Sequence, residues 1–166
     1  MKNPNSFSAK IISWLAPSRT ILQSLFLLVI RVYWGWQFFL TGKGKLADLD
    51  KPTQYFQSLG IPFPHQQAIL AGTTECLGGL LLLVGLASRL ISIPLATVLA
   101  VAYLTADIEI VKNFFNDPDK FLASDEFLFF YAVIIVLLFG PGKFSIDWLI
   151  KRLTTKSLAN GAKTAV

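Results

Sequence analysis

Four long apolar blocks constrain the fold of this chain more than any other feature. They run approximately over residues 20–41, 65–87, 90–111 and 126–140. A helix needs about 20 mostly apolar residues to cross a bilayer, and the first three blocks reach that length. The fourth is shorter, but Ser124 can cap its start and Gly140 can end it. The pattern predicts an all-α membrane protein, built as a bundle of four transmembrane helices.

Composition agrees with a membrane protein and excludes several functions. Only 15% of residues are charged, against about a quarter in soluble domains. The net charge of +5 comes from basic residues concentrated at the termini, so no nucleic-acid partner is expected. A single cysteine and a single histidine cannot form a CxxC pair or ligate a haem from both sides. No haem, metal site or metal cluster is expected from this chain alone.

The distribution of basic residues predicts the orientation of the bundle. The two tails and the turn between the second and third blocks hold nine of them (Lys2, Lys10, Arg19, Arg89, Lys143, Lys151, Arg152, Lys156, Lys163), whereas the other side holds five. Both termini are therefore expected to be cytoplasmic. The expected organisation is an amphipathic cytoplasmic segment over residues 1–19, a transmembrane domain over residues 20–142 and an amphipathic cytoplasmic tail over residues 143–166.

Two ionisable residues lie deep within the first two blocks. Arg31 is about ten residues from the expected outer end of the first span, and Glu75 about ten residues from the outer start of the second, so both should lie about 15 Å deep. Antiparallel neighbours would bring them to one level, which predicts a buried Arg31–Glu75 ion pair. The pair could fix helix register, or it could face a ligand, the default hypothesis for ionisable groups within a membrane.

Other polar residues gather towards the expected outer half of the bundle. Gln37 lies farther out on the first span, and Lys45 lies just beyond it. Tyr103 and Asp107 are four residues apart and would share a helix face, and Glu126 opens the fourth span. Asp107 and Glu126 could equally be solvated interfacial acids.

Small residues form a stripe on each of the first two spans. The second span carries them on one face, and the first span carries two glycines spaced two turns apart (Ala68, Gly72, Cys76, Gly79; Gly35, Gly42). Small residues let membrane helices approach closely. The stripes predict close packing of these two spans.

Three short motifs follow one another along the chain. The first contains Arg31, Gly35, Phe38, Gly42, Lys45 and Leu46; the second is "ECLGGLLLLVGLASR" over residues 75–89; the third is "GPGKFSID" over residues 140–147. Glu126 precedes the third as the acid that opens the last helix. In this order and spacing the motifs resemble those of the DoxX/DoxD-like membrane family, over nearly the whole chain beyond the first ~20 residues.

The resemblance implies a four-helix bundle in a bacterial or archaeal plasma membrane with a link to quinone redox chemistry. Some relatives are small subunits of thiosulfate:quinone oxidoreductase or terminal quinol oxidase, and others associate with membrane-linked oxidative-stress enzymes. The expected function is therefore a quinone-linked redox accessory subunit. Quinone is the expected cofactor, and membrane lipid, a membrane-associated oxidoreductase and a second copy of the chain are the expected partners.

Under this hypothesis the two deeply placed ionisable residues bind the quinone and transfer protons. Arg31 would bind a quinone carbonyl or fix Glu75, and Glu75 would accept or relay a proton. Asp107 and Glu126 would lead protons to the outer surface.

Gln37, Lys45 and Tyr103 would complete the ligand site with Arg31 and Glu75. One alternative is a non-catalytic anchor or assembly subunit for a peripheral oxidoreductase, docked on the basic tails. A small lipid or solute transporter is a further alternative, although four spans are few and no pair of broken-helix repeats is visible.

Overall fold

The computed structural model describes residues 7–164, and it describes side chains over residues 21–157. Within that range the chain forms eight helices and no strand: α1 (Phe7–Ala47), α2 (Asp50–Ser58), α3 (Pro64–Val84), α4 (Ser88–Thr105), α5 (Ile108–Lys112), α6 (Pro118–Leu122), α7 (Asp125–Phe139) and α8 (Ile146–Thr164). The predicted all-α class is confirmed.

Among the described residues, three helical segments are suited by length and composition to crossing a membrane: Ile21–Ala47, Pro64–Val84 and Ser88–Thr105. Large apolar side chains on them face outward, and Leu22, Val29, Leu70 and Leu90 are 64%, 65%, 60% and 70% exposed. Soluble monomers rarely expose apolar surface on this scale. The chain is therefore a membrane protein whose outer surface suits lipid.

Four helices pack in a closed ring. α1 packs on α3, α3 on α4, α4 on α7, and α7 on α1. The ring encloses a core of buried apolar side chains (Phe38, Leu82, Leu95, Leu99, Val133, Val136). Phe38 meets Phe129 edge to face, with ring centroids 4.7 Å apart. Because lipid is as apolar as these side chains, the ring is held by close packing rather than by escape from water.

Close packing is tightest between α1 and α3, where the predicted stripes of small residues meet. A Cβ added to Gly79 would lie 2.5 Å from the backbone nitrogen of Phe39 and 2.6 Å from the carbonyl oxygen of Gly35. A Cβ on Gly42 would collide with backbone atoms of Cys76 and Gly72. The predicted close approach is confirmed, and these contacts fix an antiparallel register between the two helices.

The ring has two ends, which we name by their neighbouring helices. The α2 end holds the connections from α1 to α3 and from α4 to α7, and the α8 end holds the α3–α4 turn and the α7–α8 connection. At the α2 end, α2 folds back onto α3. The Ser124 hydroxyl caps α7 by accepting from the Phe127 N–H at 3.3 Å, and Gly140 ends it with φ of 79°. Both of these helix ends were predicted.

Two helix ends lie away from the ends of the apolar blocks. α1 is continuous from Phe7, ahead of the first block; residues 1–6 lie outside the described range. The third apolar block is interrupted, because α4 ends at Thr105 and α5 begins at Ile108. The Asp107 N–H closes the end of α4 by bonding to the carbonyl oxygen of Ala102 at 3.3 Å, five residues back, which ends the regular helical spacing.

Candidate functional site

Lys45 and Glu75 form an ion pair at the α2 end of the α1–α3 interface. Lys45 Nζ lies 2.6 Å from Glu75 Oε1, and the two side chains are 33% and 6% exposed. The stem of Lys45 passes over Gly72, where an added Cβ would lie 3.3 Å from Lys45 Cβ. The small residues that allow the two backbones to approach therefore also let Lys45 reach Glu75.

The pair leaves hydrogen-bonding capacity unused. Glu75 Oε2 is buried and has no hydrogen-bond partner among the described atoms. An ammonium has three donors, and one of them serves Glu75. An unpartnered carboxylate oxygen in an apolar setting is costly, whereas a bound hydrogen-bond donor would relieve that cost. Lys45 and Glu75 therefore leave hydrogen-bond donors and an acceptor unused side by side.

The predicted Arg31–Glu75 pair is wrong. Arg31 lies at the other end of the bundle, against Gly85, and Glu75 is paired with Lys45 instead. The error came from the end of the first span, because α1 continues to Ala47, six residues past the expected end at residue 41. Gly85 is ten residues beyond Glu75 on the chain, so the two charged groups are separated by about 15 Å along the helix axis.

Arg31 belongs to a junction that closes the α8 end. Its side chain is fully buried, and Nη2 donates to the backbone carbonyl of Phe144. Nε and Nη1 have no hydrogen-bond partner among the described atoms. Asp147 interacts with Arg31 electrostatically, and its backbone N–H donates to the Gly85 carbonyl at 3.0 Å. We call Arg31, Gly85, Phe144 and Asp147 the Arg31 junction.

Asp147 also holds the start of α4. Its Oδ1 accepts from the Ala87 N–H at 2.7 Å, and its Oδ2 accepts from the Ser88 N–H at 3.0 Å. The first N–H groups of a helix lack partners within the helix, and a carboxylate there satisfies them and complements the helix dipole. The junction thus joins α1, the α3–α4 turn and the α7–α8 connection, which suits a structural role better than ligand binding.

A second polar group forms at the α2 end between α4 and α7. The Tyr103 hydroxyl lies 2.8 Å from the Ser124 hydroxyl. Asp107 and Glu126 both interact electrostatically with Tyr103, and their carboxyl groups interact with each other. The structure therefore brings together Tyr103, Asp107 and Glu126, which the sequence placed in one half of the bundle. Within the described residues, no hydrogen bond or ion pair joins this group to Lys45 or Glu75.

The remaining candidate, Gln37, lies half-buried on α1 between the two ends. His65 is exposed at the start of α3, with Nδ1 3.4 Å from the Thr53 hydroxyl. Sequence reasoning did not identify Asp147 as a partner of the buried arginine, although "GPGKFSID" pointed to that segment.

Comparison with known families decides the affiliation of the chain. The family model described as DoxX matches residues 26–108, half of the sequence. This chain belongs to the DoxX family. The matched region of this DoxX protein contains Arg31, Lys45 and Glu75, whereas Glu126 and the segment 140–147 lie beyond it.

One relative of this DoxX protein carries a functional name. The "Putative oxidoreductase CatD" of Bacillus subtilis (strain 168) is 32% identical over 82 residues, which cover 49% of this chain and 60% of that protein. The matched segment is therefore less than two thirds of that relative's length. No solved structure matches the chain.

Proposed function

We propose that this DoxX protein is a membrane subunit of a quinone-linked oxidoreductase and that it binds a quinone head group at the Lys45–Glu75 pair. The observation that carries the proposal is the unpartnered, buried Glu75 Oε2 beside a lysine with free donors. Lys45 donates to a ring oxygen of the head group. The oxidoreductase name of the relative CatD supports the choice of redox chemistry.

The three polar groups have separate functions in this protein. Lys45 and Glu75 bind the head group, and Glu75 exchanges protons with it. Tyr103, Asp107 and Glu126 exchange protons with the surface at the α2 end, separately from the Lys45–Glu75 pair. Arg31 positions the α8 end and does not touch the ligand. Electrons enter and leave through the quinone and a partner oxidoreductase.

The proposed topology has four spans, with both termini in the cytoplasm of a bacterial or archaeal cell. α7 has 15 residues and is about 22 Å long, shorter than the ~30 Å hydrocarbon core. Local bilayer thinning accommodates short spans at modest cost, and α7 closes the ring against α4 and α1. The α2 end then faces outward, and the Lys45–Glu75 pair lies in the outer half of the bundle.

A binding experiment with matched lysine variants tests the proposal. The purified protein in detergent is titrated with decylubiquinone, and the dissociation constant is measured by calorimetry. Lys45→Met should weaken binding at least tenfold, whereas Lys43→Met should leave it unchanged, because Lys43 is exposed and lies outside the pair. Absence of saturable binding to the wild-type protein, by decylubiquinone and by its reduced quinol form alike, would remove the proposal.

An anchoring function is the second candidate, and α8 favours it. Leu149, Ile150 and Leu153 are 49%, 49% and 59% exposed, and Lys151 and Arg152 are exposed beside them. Such a helix can lie on an anionic membrane surface or receive an acidic partner. Charge reversal at Lys151 and Arg152 should release a co-purifying oxidoreductase, whereas Glu75→Gln should retain it; the opposite pattern would remove this candidate.

A further inference from the structure

The Lys45–Glu75 pair has an asymmetry that distinguishes between the two redox forms of a quinone. A quinone presents carbonyl oxygens, which only accept hydrogen bonds. A quinol presents hydroxyl groups, each of which donates one and accepts others, as other hydroxyls do. A quinone therefore needs only hydrogen-bond donors from the protein, whereas a quinol can use an acceptor as well as a donor.

The Oε2 atom of Glu75 needs a hydrogen-bond donor. Its side chain is 6% exposed, and Oε1 is already engaged by Lys45 at 2.6 Å. Oε2 is buried without a partner among the described atoms. Paired with an ammonium, Glu75 is a carboxylate, which accepts hydrogen bonds and donates none. A quinone carbonyl placed against Oε2 would leave both oxygens without a proton between them.

Lys45 can serve either form. Its Nζ has donors beyond the one given to Glu75, and its side chain is 33% exposed, so a head group can reach it from outside. A single hydroxyl can accept from Lys45 Nζ and donate to Glu75 Oε2 at the same time. A carbonyl can satisfy only Lys45.

We infer that the Lys45–Glu75 site selects the reduced quinol over the oxidised quinone. The inference rests on the proposed quinone-linked function and adds the redox form that the site recognises. Sites with a buried polar group strongly reject an analogue that leaves that group unpaired. The quinol should therefore bind at least about tenfold more tightly than the quinone.

Glutamine at position 75 should change this preference. The amide of Glu75→Gln offers two donors and one acceptor in place of a carboxylate that only accepts. It can therefore donate to a quinone carbonyl, and the ratio of quinol to quinone affinity should fall to about one or below. Glu109→Gln is the matched control, because the Glu109 side chain is 77% exposed and lies away from the pair on α5.

The experiment compares decylubiquinol with decylubiquinone by anaerobic calorimetric titration of the full-length protein in detergent. Tighter binding of the quinol to the wild type, lost in Glu75→Gln and retained in Glu109→Gln, would support the inference. Equal affinities, or tighter binding of the quinone, would overturn the inference and leave the quinone-linked function standing. Absence of binding by either form would overturn that function as well. The comparison of quinol and quinone affinities in the wild-type protein tests the inference even where a variant fails to fold.

Discussion

Arg31 donates a hydrogen bond to the backbone carbonyl of Phe144, 113 positions later in the chain. This contact fastens the α7–α8 connection to α1 beside the α3–α4 turn. The guanidinium is fully buried and has two nitrogens without a partner among the described atoms. A buried charge of this kind is destabilising in a membrane protein, and the free-energy cost is smaller near the end of the bundle than at the bilayer centre. The Arg31 junction is therefore expected to govern stability, while the Lys45–Glu75 pair governs ligand binding.

Removal of the Arg31 charge should destabilise the bundle. Arg31→Met keeps most of the side-chain volume but leaves the Phe144 carbonyl without its donor. Hydrogen bonds to charged groups contribute about 1.5–3 kcal/mol, so a loss of that order is expected. Thermal unfolding in detergent measures it. Arg89→Met is the control, because Arg89 is exposed and its bond to the Leu138 carbonyl is longer, at 3.3 Å; an equal loss in both variants would contradict the distinct role of Arg31.

The carboxylate of Asp147 should contribute about as much to the stability of the protein as a helix N-cap side chain does. Asp147→Ala removes the acceptor of the Ala87 and Ser88 N–H groups, which should cost about 0.5–2 kcal/mol. Asp147→Asn keeps one acceptor oxygen and should retain part of that stability. Thermal unfolding ranks the variants, and an alanine variant as stable as the wild type would refute the capping role.

The α1–α3 interface should reject a single added methyl group. Gly42→Ala would force Cβ into the backbone of Cys76 and Gly72, and overpacking of this kind costs about 1–3 kcal/mol. Gly44→Ala, two residues along the same helix, meets no atom within 4 Å and should be neutral or slightly stabilising, since alanine favours helix. Chemical or thermal unfolding of the two variants compares them directly. Similar stabilities would show that the helices are not in close contact at Gly42.

The sequence was sufficient for the helical class and for the contact between the first two spans. The four apolar blocks correspond to α1, to α3, to α4 with α5, and to α7, and the two stripes of small residues fall on α1 and α3. Each of these features is local or periodic, and such features are readable without knowledge of the tertiary structure. The caps at Ser124 and Gly140 were readable for the same reason.

The pairing of the buried charges was not predicted, because it depends on register. The estimated depth of Arg31 relied on the end of the first span, and an end misplaced by six residues moves a side chain by about 9 Å. The stripes of small residues indicate the register of α1 against α3 more accurately than the ends of the apolar blocks do. Alignment of Gly42 with Gly72 and Cys76 would have placed Lys45 beside Glu75. Asp147 could not be assigned, since it meets Arg31 only through the packing of the α7–α8 connection.

The proposed orientation can be tested with the single native cysteine removed. In a Cys76→Ala background, Ser58→Cys marks the α2 end and Thr155→Cys marks α8, where both positions are exposed. The excess of basic residues in the tails predicts that the α8 end is cytoplasmic. A membrane-impermeant maleimide added to intact cells should label Ser58→Cys and should reach Thr155→Cys only after permeabilisation. Labelling of Thr155→Cys alone in intact cells would invert the topology. Such a result would move the Lys45–Glu75 site to the cytoplasmic half of the membrane.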